Sequence, residues 1–229
     1  MAKPVPVIAI DGPGGSGKGT LAKRLADALG WHLLDSGMLY RLLALATMNH
    51  GVSPENEDAL EVMAESLDVV FRTEPGQEQV IALLEGENVT RTVRTEDVGL
   101  VASKVAAVAK VREALMSRQR AFAQSPGLVA DGRDMGTIVF TGAPLKIYLT
   151  ASVEERARRR YEQLNEKGQS VSLARLAEAI EARDRNDMNR AVAPLRPAAD
   201  AIQIDSSSMS IDAVFDHVLE LARKRQLAP

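Results

Sequence analysis

Apolar positions along the chain fall into two kinds of run: unbroken ones, and ones spaced at three and four residues. Val7, Ile8, Ala9 and Ile10 are consecutive, as in a strand covered on both faces of a parallel sheet. Leu21, Leu25 and Ala28 follow at helical spacing, and Gly30 is placed to end that helix. Trp31 to Leu34 predicts a second short strand, and Met38 to Asn49 a helix closing at Gly51. Leu128 to Ala130, Leu145 to Leu149 and Ala201 to Ile204 are further strand-like runs. Between and after them, Ser152 opens one helix, and Ser172 to Asn189 forms another. Ser210 caps a last one with Ile211, Val214, Phe215, Val218 and Leu221 on its apolar face. Strands alternating with helices predict an α/β fold.

The rhythm breaks once. Residues 53–67 predict an exposed helix opened by Ser53-Pro54. Leu67 to Thr73, Gln79 to Leu84 and Asn88-Val89 then predict short strands, split by Pro75-Gly76 and Glu85-Gly86-Glu87. This meander predicts a small inserted subdomain. Thr95 to Lys110 and Val111 to Ala123 predict two helices, or one with a bend.

Composition narrows the class. At 229 residues the chain suits one α/β core with an insertion, or at most two small domains. It is 45% hydrophobic but only 3% aromatic, so Leu, Val, Ile and Ala must fill the core. No apolar run approaches the ~20 residues of a membrane span, and MAKPVPV lacks a signal-peptide profile, so a cytoplasmic location is expected. A net charge of −3 gives no basic field for a nucleic-acid polymer or an anionic membrane. The absence of Cys excludes disulfides and thiol catalysis. His32 sits in an apolar run, which predicts a core or packing role, and no pair of His and no His–carboxylate cluster has metal-ligand spacing.

The chemistry concentrates at strand ends. After the first apolar run comes Gly12-Pro13-Gly14-Gly15-Ser16-Gly17-Lys18-Gly19-Thr20. Glycines let backbone N–H groups close on an oligophosphate, the following helix N-terminus adds partial positive charge, and Lys18 can reach the β and γ oxygens. The general pattern puts a hydroxyl directly after the Lys; here Gly19 intervenes and Thr20 supplies it. The second strand ends at Asp35-Ser36-Gly37. Ser36 suits either a ligand contact or an N-cap; Tyr40 and Arg41 point at the same crevice or, for Arg41, at solvent. The run at 128–130 ends in Asp131-Gly132-Arg133-Asp134. A carboxylate at such a strand tip is placed to hold a metal's waters beside a phosphate loop. Arg156 and Arg160 share one helix face, with Arg159 close to it, and Arg183, Asp187 and Arg190 lie on the next helix. Ser103 and Arg112 lie on the helices before Pro126, where surface roles are the plain reading.

These segments resemble one family, the bacterial cytidylate kinases. The matching stretches are IDGPGGSGKGT, WHLLDSGMLYR, VREAL, RQRAF, ADGRDMGT, ERARRR and ARDRNDMNRAVAPL, spanning nearly the whole chain. The resemblance implies a P-loop core with a five-stranded parallel sheet at about 1–40, 95–150 and 195–229. It also implies a monophosphate-binding insertion at about 41–94 and a short helical lid at about 151–194. It implies ATP and Mg²⁺, a CMP or dCMP acceptor, and a monomer. By motif position, Gly12 to Thr20 would hold the ATP phosphates, and Thr20 and Asp131 the Mg²⁺, through water. Ser36, Tyr40 and Arg41 would border the acceptor, with Arg41 on its phosphate. Ser103, Arg112 and Asp134 would contact cytosine. Arg133 and Arg190 would bind the acceptor phosphate, Arg183 and Asp187 the sugar, and Arg156 and Arg160 the ATP. One stretch, Asp184-Arg185-Asn186-Asp187, departs from the family pattern and leaves the individual lid arginines open.

Two rivals bear on this. Another small-molecule P-loop kinase, acting on UMP, AMP or a hydroxyl, would share the glycine loop but not the paired DSG and DGRDMGT motifs. A nucleotide-binding switch hydrolysing GTP would carry NKxD, which does not occur.

Overall fold

The structure is a computed structural model, and it describes residues 4–72, 81–166, 168 and 170–228. The expectations at Thr73, Pro75-Gly76, Gln79 and Val80 lie outside the described residues. The chain divides into two compact units, Met1–Asp35 with Gln119–Pro229, and Ser36–Arg118.

The first unit is built on β1 (Val7–Asp11), β2 (His32–Asp35), β6 (Leu128–Gly132), β7 (Leu145–Thr150) and β8 (Ile202–Asp205). They form one five-stranded sheet in the order β2-β6-β1-β7-β8, and every pair is parallel. The register places Asp11 beside Gly132 and Asp35 beside Asp131, so the polar strand ends emerge along one edge. The most central strand, β1, is buried at every position, as a strand covered on both faces must be. Helices α1 (Lys18–Leu29) and α8 (Ile211–Lys224) supply Leu21, Leu25, Val214 and Val218 to the core around Ile8, Ile10, Val129 and Ile147. Helices α6 (Val153–Glu166) and α7 (Leu173–Asn189) form a hairpin in this unit. Ser172 caps α7 and Ser210 caps α8, each hydroxyl accepting an N–H three residues on.

The second unit holds α2 (Ser36–Asn49), α3 (Glu57–Glu65), α4 (Glu96–Val105) and α5 (Ala109–Ala121), the last of which ends just past the unit boundary. It also holds an antiparallel sheet of β3 (Val69–Arg72), β4 (Ile81–Leu84) and β5 (Glu87–Asn88). Leu42, Leu43, Leu60, Leu84, Val93 and Leu115 share its core.

Three expectations shift. Helix α3 starts at Glu57 rather than near Ser53, because Asn56 Oδ1 accepts the Ala59 N–H at 3.1 Å and caps it. Ser53 instead engages Glu55. His32 is exposed rather than packed in the core, since β2 is an edge strand, and its Nε2 lies 3.1 Å from the Ser125 carbonyl oxygen. A single wide helical turn, Met135–Val139, follows β6 and was not foreseen. Asp11 makes it: its carboxylate accepts the N–H groups of Met135 and Gly136, each at 2.8 Å.

Burial pushes the Asp11 carboxyl up to about 6, against the pull of those two N–H donors. A carboxyl raised in the fold stabilises it below the ordinary carboxylate range and loses that contribution as pH rises through about 6. Between pH 4 and 6.5 this group is expected to withdraw up to about 3 kcal/mol from stability. Urea unfolding of the wild type and Asp11→Asn across that range checks it. The gap between the two is expected to shift in favour of the variant as pH rises, and a pH-independent gap would contradict the assignment.

Candidate functional site

The site of the first unit starts at the carboxyl end of β1. Gly12 adopts φ 148°, and a Cβ there would lie 2.0 Å from the Leu149 carbonyl oxygen, so only glycine permits the chain to turn against β7. The loop continues through Gly17, at φ 94°, into the N-terminus of α1, whose unpaired N–H groups face an incoming anion. Lys18 is buried and its Nζ donates to the Pro13 carbonyl at 2.8 Å, which holds the ammonium over the loop. Ser16 Oγ lies 3.1 Å from the same carbonyl.

Charge gathers around that ammonium. Burial, and next the positive charge of Arg133, pull Lys18 down to about 8, while Asp131, Asp11 and Asp35 oppose the fall. Burial likewise pushes the Asp131 carboxyl up to about 7, with Lys18 pulling it back and Asp35 adding to the rise. An ion cluster of this kind, at strand ends beside a glycine loop, suits a polyanion accompanied by a cation. Asp131 stands against the loop: a Cβ on Gly19 would lie 3.4 Å from its Oδ2. Thr20, the next residue, is exposed. No cluster of three or more His, Cys, Asp or Glu able to hold a metal exists among the described residues.

The arginines divide by environment. Arg133 Nε donates to Asp187 Oδ2 at 2.9 Å, joining the β6 tip to α7. Asp134 is buried at the same tip. Arg156 is turned inward at 3% exposure, bonded to the carbonyls of Ala151 (2.9 Å) and Gly14 (3.1 Å) and paired at both ends with Asp184. Arg160 and Arg183 are half-buried on α6 and α7, and Arg190 Nε donates to the Ala193 carbonyl at the end of α7.

The remaining sequence-derived candidates lie in the second unit. Ser36 is the buried first residue of α2, and Tyr40 is buried one turn on. The Arg112 guanidinium stacks 5.6 Å from the centre of the Tyr40 ring, and its Nη1 donates to the Ala106 carbonyl at 3.2 Å. Arg41 Nη1 donates to the carbonyls of Val93 and Thr95, each at 3.0 Å. Ser103 Oγ bonds back to the Gly99 carbonyl at 3.2 Å.

Sequence reasoning passed over Asp11, Asp35 and Asp184 as members of the charge network. Asp11 and Asp35 each end a strand on the ligand edge, a signal that was present; Asp184 carries none, because its partner lies on another helix.

The chain is similar to known proteins along nearly its whole length. The family model described as cytidylate kinase matches residues 8–224. A cytidylate kinase of Stutzerimonas stutzeri is 60% identical over 228 residues, covering 100% of both chains. One from Pseudomonas savastanoi pv. phaseolicola is 61% identical over 224 residues, covering 97% of each. One from Pseudomonas entomophila is 60% identical over 219 residues, covering 95% of this chain and 96% of the other. With a glycine loop, a strand-tip carboxylate and likeness sustained from end to end, the chain belongs to the cytidylate kinase family.

Proposed function

We propose that this protein transfers the γ-phosphoryl group of ATP to CMP or dCMP, giving ADP and CDP or dCDP. One observation carries the reading: Lys18 is held over a glycine loop beside Asp131 and Arg133, in a chain about 60% identical to curated cytidylate kinases. The loop N–H groups from Gly12 to Thr20 would bind the ATP phosphates. Lys18 would neutralise charge on the β and γ oxygens as it develops. Mg²⁺, held through Thr20 and Asp131 by way of water, would add charge neutralisation at the same oxygens.

The acceptor is already a phosphate oxygen anion, so no general base is needed. The work is alignment, charge neutralisation and exclusion of water. Arg133, Arg190 and Arg41 would take the acceptor phosphate. Asp187 and Arg183 would take the sugar, and Asp134, Ser103 and Arg112 the base. Tyr40 and Ser36 would border this acceptor set. Arg156 and Arg160 would serve the ATP side, Arg156 through the Gly14 carbonyl it already holds. Residues 151–194 would act as the lid, 41–94 as the monophosphate-binding insertion and the rest as the core, in a monomer. No helix among the described residues is long and apolar enough to cross a membrane. The reading is tested by whether ADP release from MgATP depends on added CMP or dCMP.

A further inference from the structure

Side chains hold the carbonyls of the glycine loop, and two of them, Arg159 and Ser206, have no role in the scheme above. Ahead of the ladder of α1, which begins where the Leu21 N–H bonds to the Gly17 carbonyl, three loop carbonyls are held by side chains. The Pro13 carbonyl accepts from Ser16 and Lys18, and the Gly14 carbonyl from Arg156. The Ser16 carbonyl has Arg159 Nη1 at 3.4 Å and Ser206 Oγ at 3.3 Å. In a trans peptide the C=O and the next residue's N–H point opposite ways. The Pro13 carbonyl turns toward the Lys18 ammonium, whereas the carbonyls of Gly14 and Ser16, held from the other side, leave the N–H groups of Gly15 and Gly17 on the inner side of the loop.

Arg159 is itself anchored. Its Nε donates to Glu155 Oε1 at 2.8 Å and its Nη2 to the Ser206 carbonyl at 2.7 Å. Ser206, 2% exposed at the end of β8, donates its N–H to the Thr150 carbonyl at 2.8 Å, with its hydroxyl 2.9 Å from the same oxygen. The guanidinium thus spans from the ends of β7 and β8 to the peptide that precedes α1. A Cβ on Gly17 would lie 3.8 Å from Arg159 Nη1, so the plane of that peptide sits directly against it.

We infer that Arg159 is a positioning residue for the ATP phosphates, acting through the Ser16–Gly17 peptide with Ser206 as its second prop. This rests on the glycine loop binding ATP, as proposed above. Arg159 touches no substrate in this scheme; it fixes the direction of an N–H that does.

Calorimetric titration with the non-hydrolysable analogue AMP-PNP and Mg²⁺, and separately with CMP, tests it. Arg159→Ala is expected to weaken AMP-PNP about tenfold while CMP affinity stays within about twofold, the loss of a charge-assisted prop. Ser206→Ala is expected to cost about threefold, the smaller contribution of a neutral hydroxyl. The double variant should be no weaker than Arg159→Ala, because both hold one peptide. Arg159→Lys should recover part of the loss. Equal weakening toward both ligands, or unchanged AMP-PNP affinity in a folded Arg159→Ala, would overturn the inference. Should Arg159→Ala not fold, unchanged AMP-PNP affinity in both Ser206→Ala and Arg159→Lys would overturn it as well. A wild type that binds AMP-PNP but phosphorylates no CMP overturns the proposed transfer and leaves these titrations to judge Arg159. A wild type that binds no AMP-PNP overturns both.

Discussion

Lys18→Met is expected to lower kcat by about 10³-fold, or ~4 kcal/mol of transition-state stabilisation, with the fold intact. Methionine keeps the buried stem of Lys18 in place and removes only the ammonium that the Pro13 carbonyl holds over the loop. In a phosphoryl transfer the protein makes and breaks few bonds of its own, so the loss of one preorganised cation falls almost wholly on the barrier. Stability should change little, because burial already opposes the charge at this position. Steady-state kinetics beside a thermal melt separates the two effects. Activity within tenfold of wild type, or an unfolded variant, would remove Lys18 from the role assigned to it.

Asp184→Ala has the largest expected effect on stability. The Arg156–Asp184 pair joins α6 to α7 through two bonds, with side chains 4% and 12% exposed. Removing one partner of such a pair leaves an uncompensated buried charge and costs about 3–5 kcal/mol. Replacing both, as Arg156→Met with Asp184→Leu, is expected to recover most of that loss, since the desolvation penalty disappears with the charges. Urea midpoints of Asp184→Ala, of Arg156→Met and Asp184→Leu singly, and of the double variant supply the comparison and the cycle. A single variant as stable as wild type would mean that the hairpin is held by its apolar contacts alone.

The fold was legible where a residue's fate depends on its immediate neighbours. β1 and β6 announce themselves as unbroken apolar runs, and β7 as one interrupted by Lys146, because strands inside a parallel sheet have no face to give to water. The edge strand β2 was legible as a strand, but its exposed His32 was not, because sequence alone does not say which strand lies at the edge. The start of α3 was misjudged because Ser-Pro and Asn are both opening signals, and only the bond to Ala59 decides between them. The wide turn after β6 depends on Asp11, more than a hundred residues earlier in the chain, and no local pattern carries such a contact.

The candidate site divides the same way. The glycine loop and the DGRD strand tip are contiguous in sequence and could be read as units. The ties that stiffen them are long-range: Arg156 reaches Gly14 and Asp184, and Arg159 and Ser206 reach Ser16. A run of four arginines in five positions on α6 looks uniform in sequence. In the fold Arg156 is buried, Arg158 lies exposed between Glu155 and Glu162, and Arg159 bridges to β8. Their separation comes from which face of α6 meets the loop, and that is set by the packing of the unit.

The most direct test of the phosphoryl-transfer account is the initial rate of ADP release from MgATP with CMP, dCMP, UMP, AMP and GMP offered one at a time, beside a reaction without acceptor. The account predicts rapid release with CMP and dCMP, little with the other three, and a baseline without acceptor. ADP release at one rate whatever acceptor is present would contradict it, leaving an ATPase on a kinase fold.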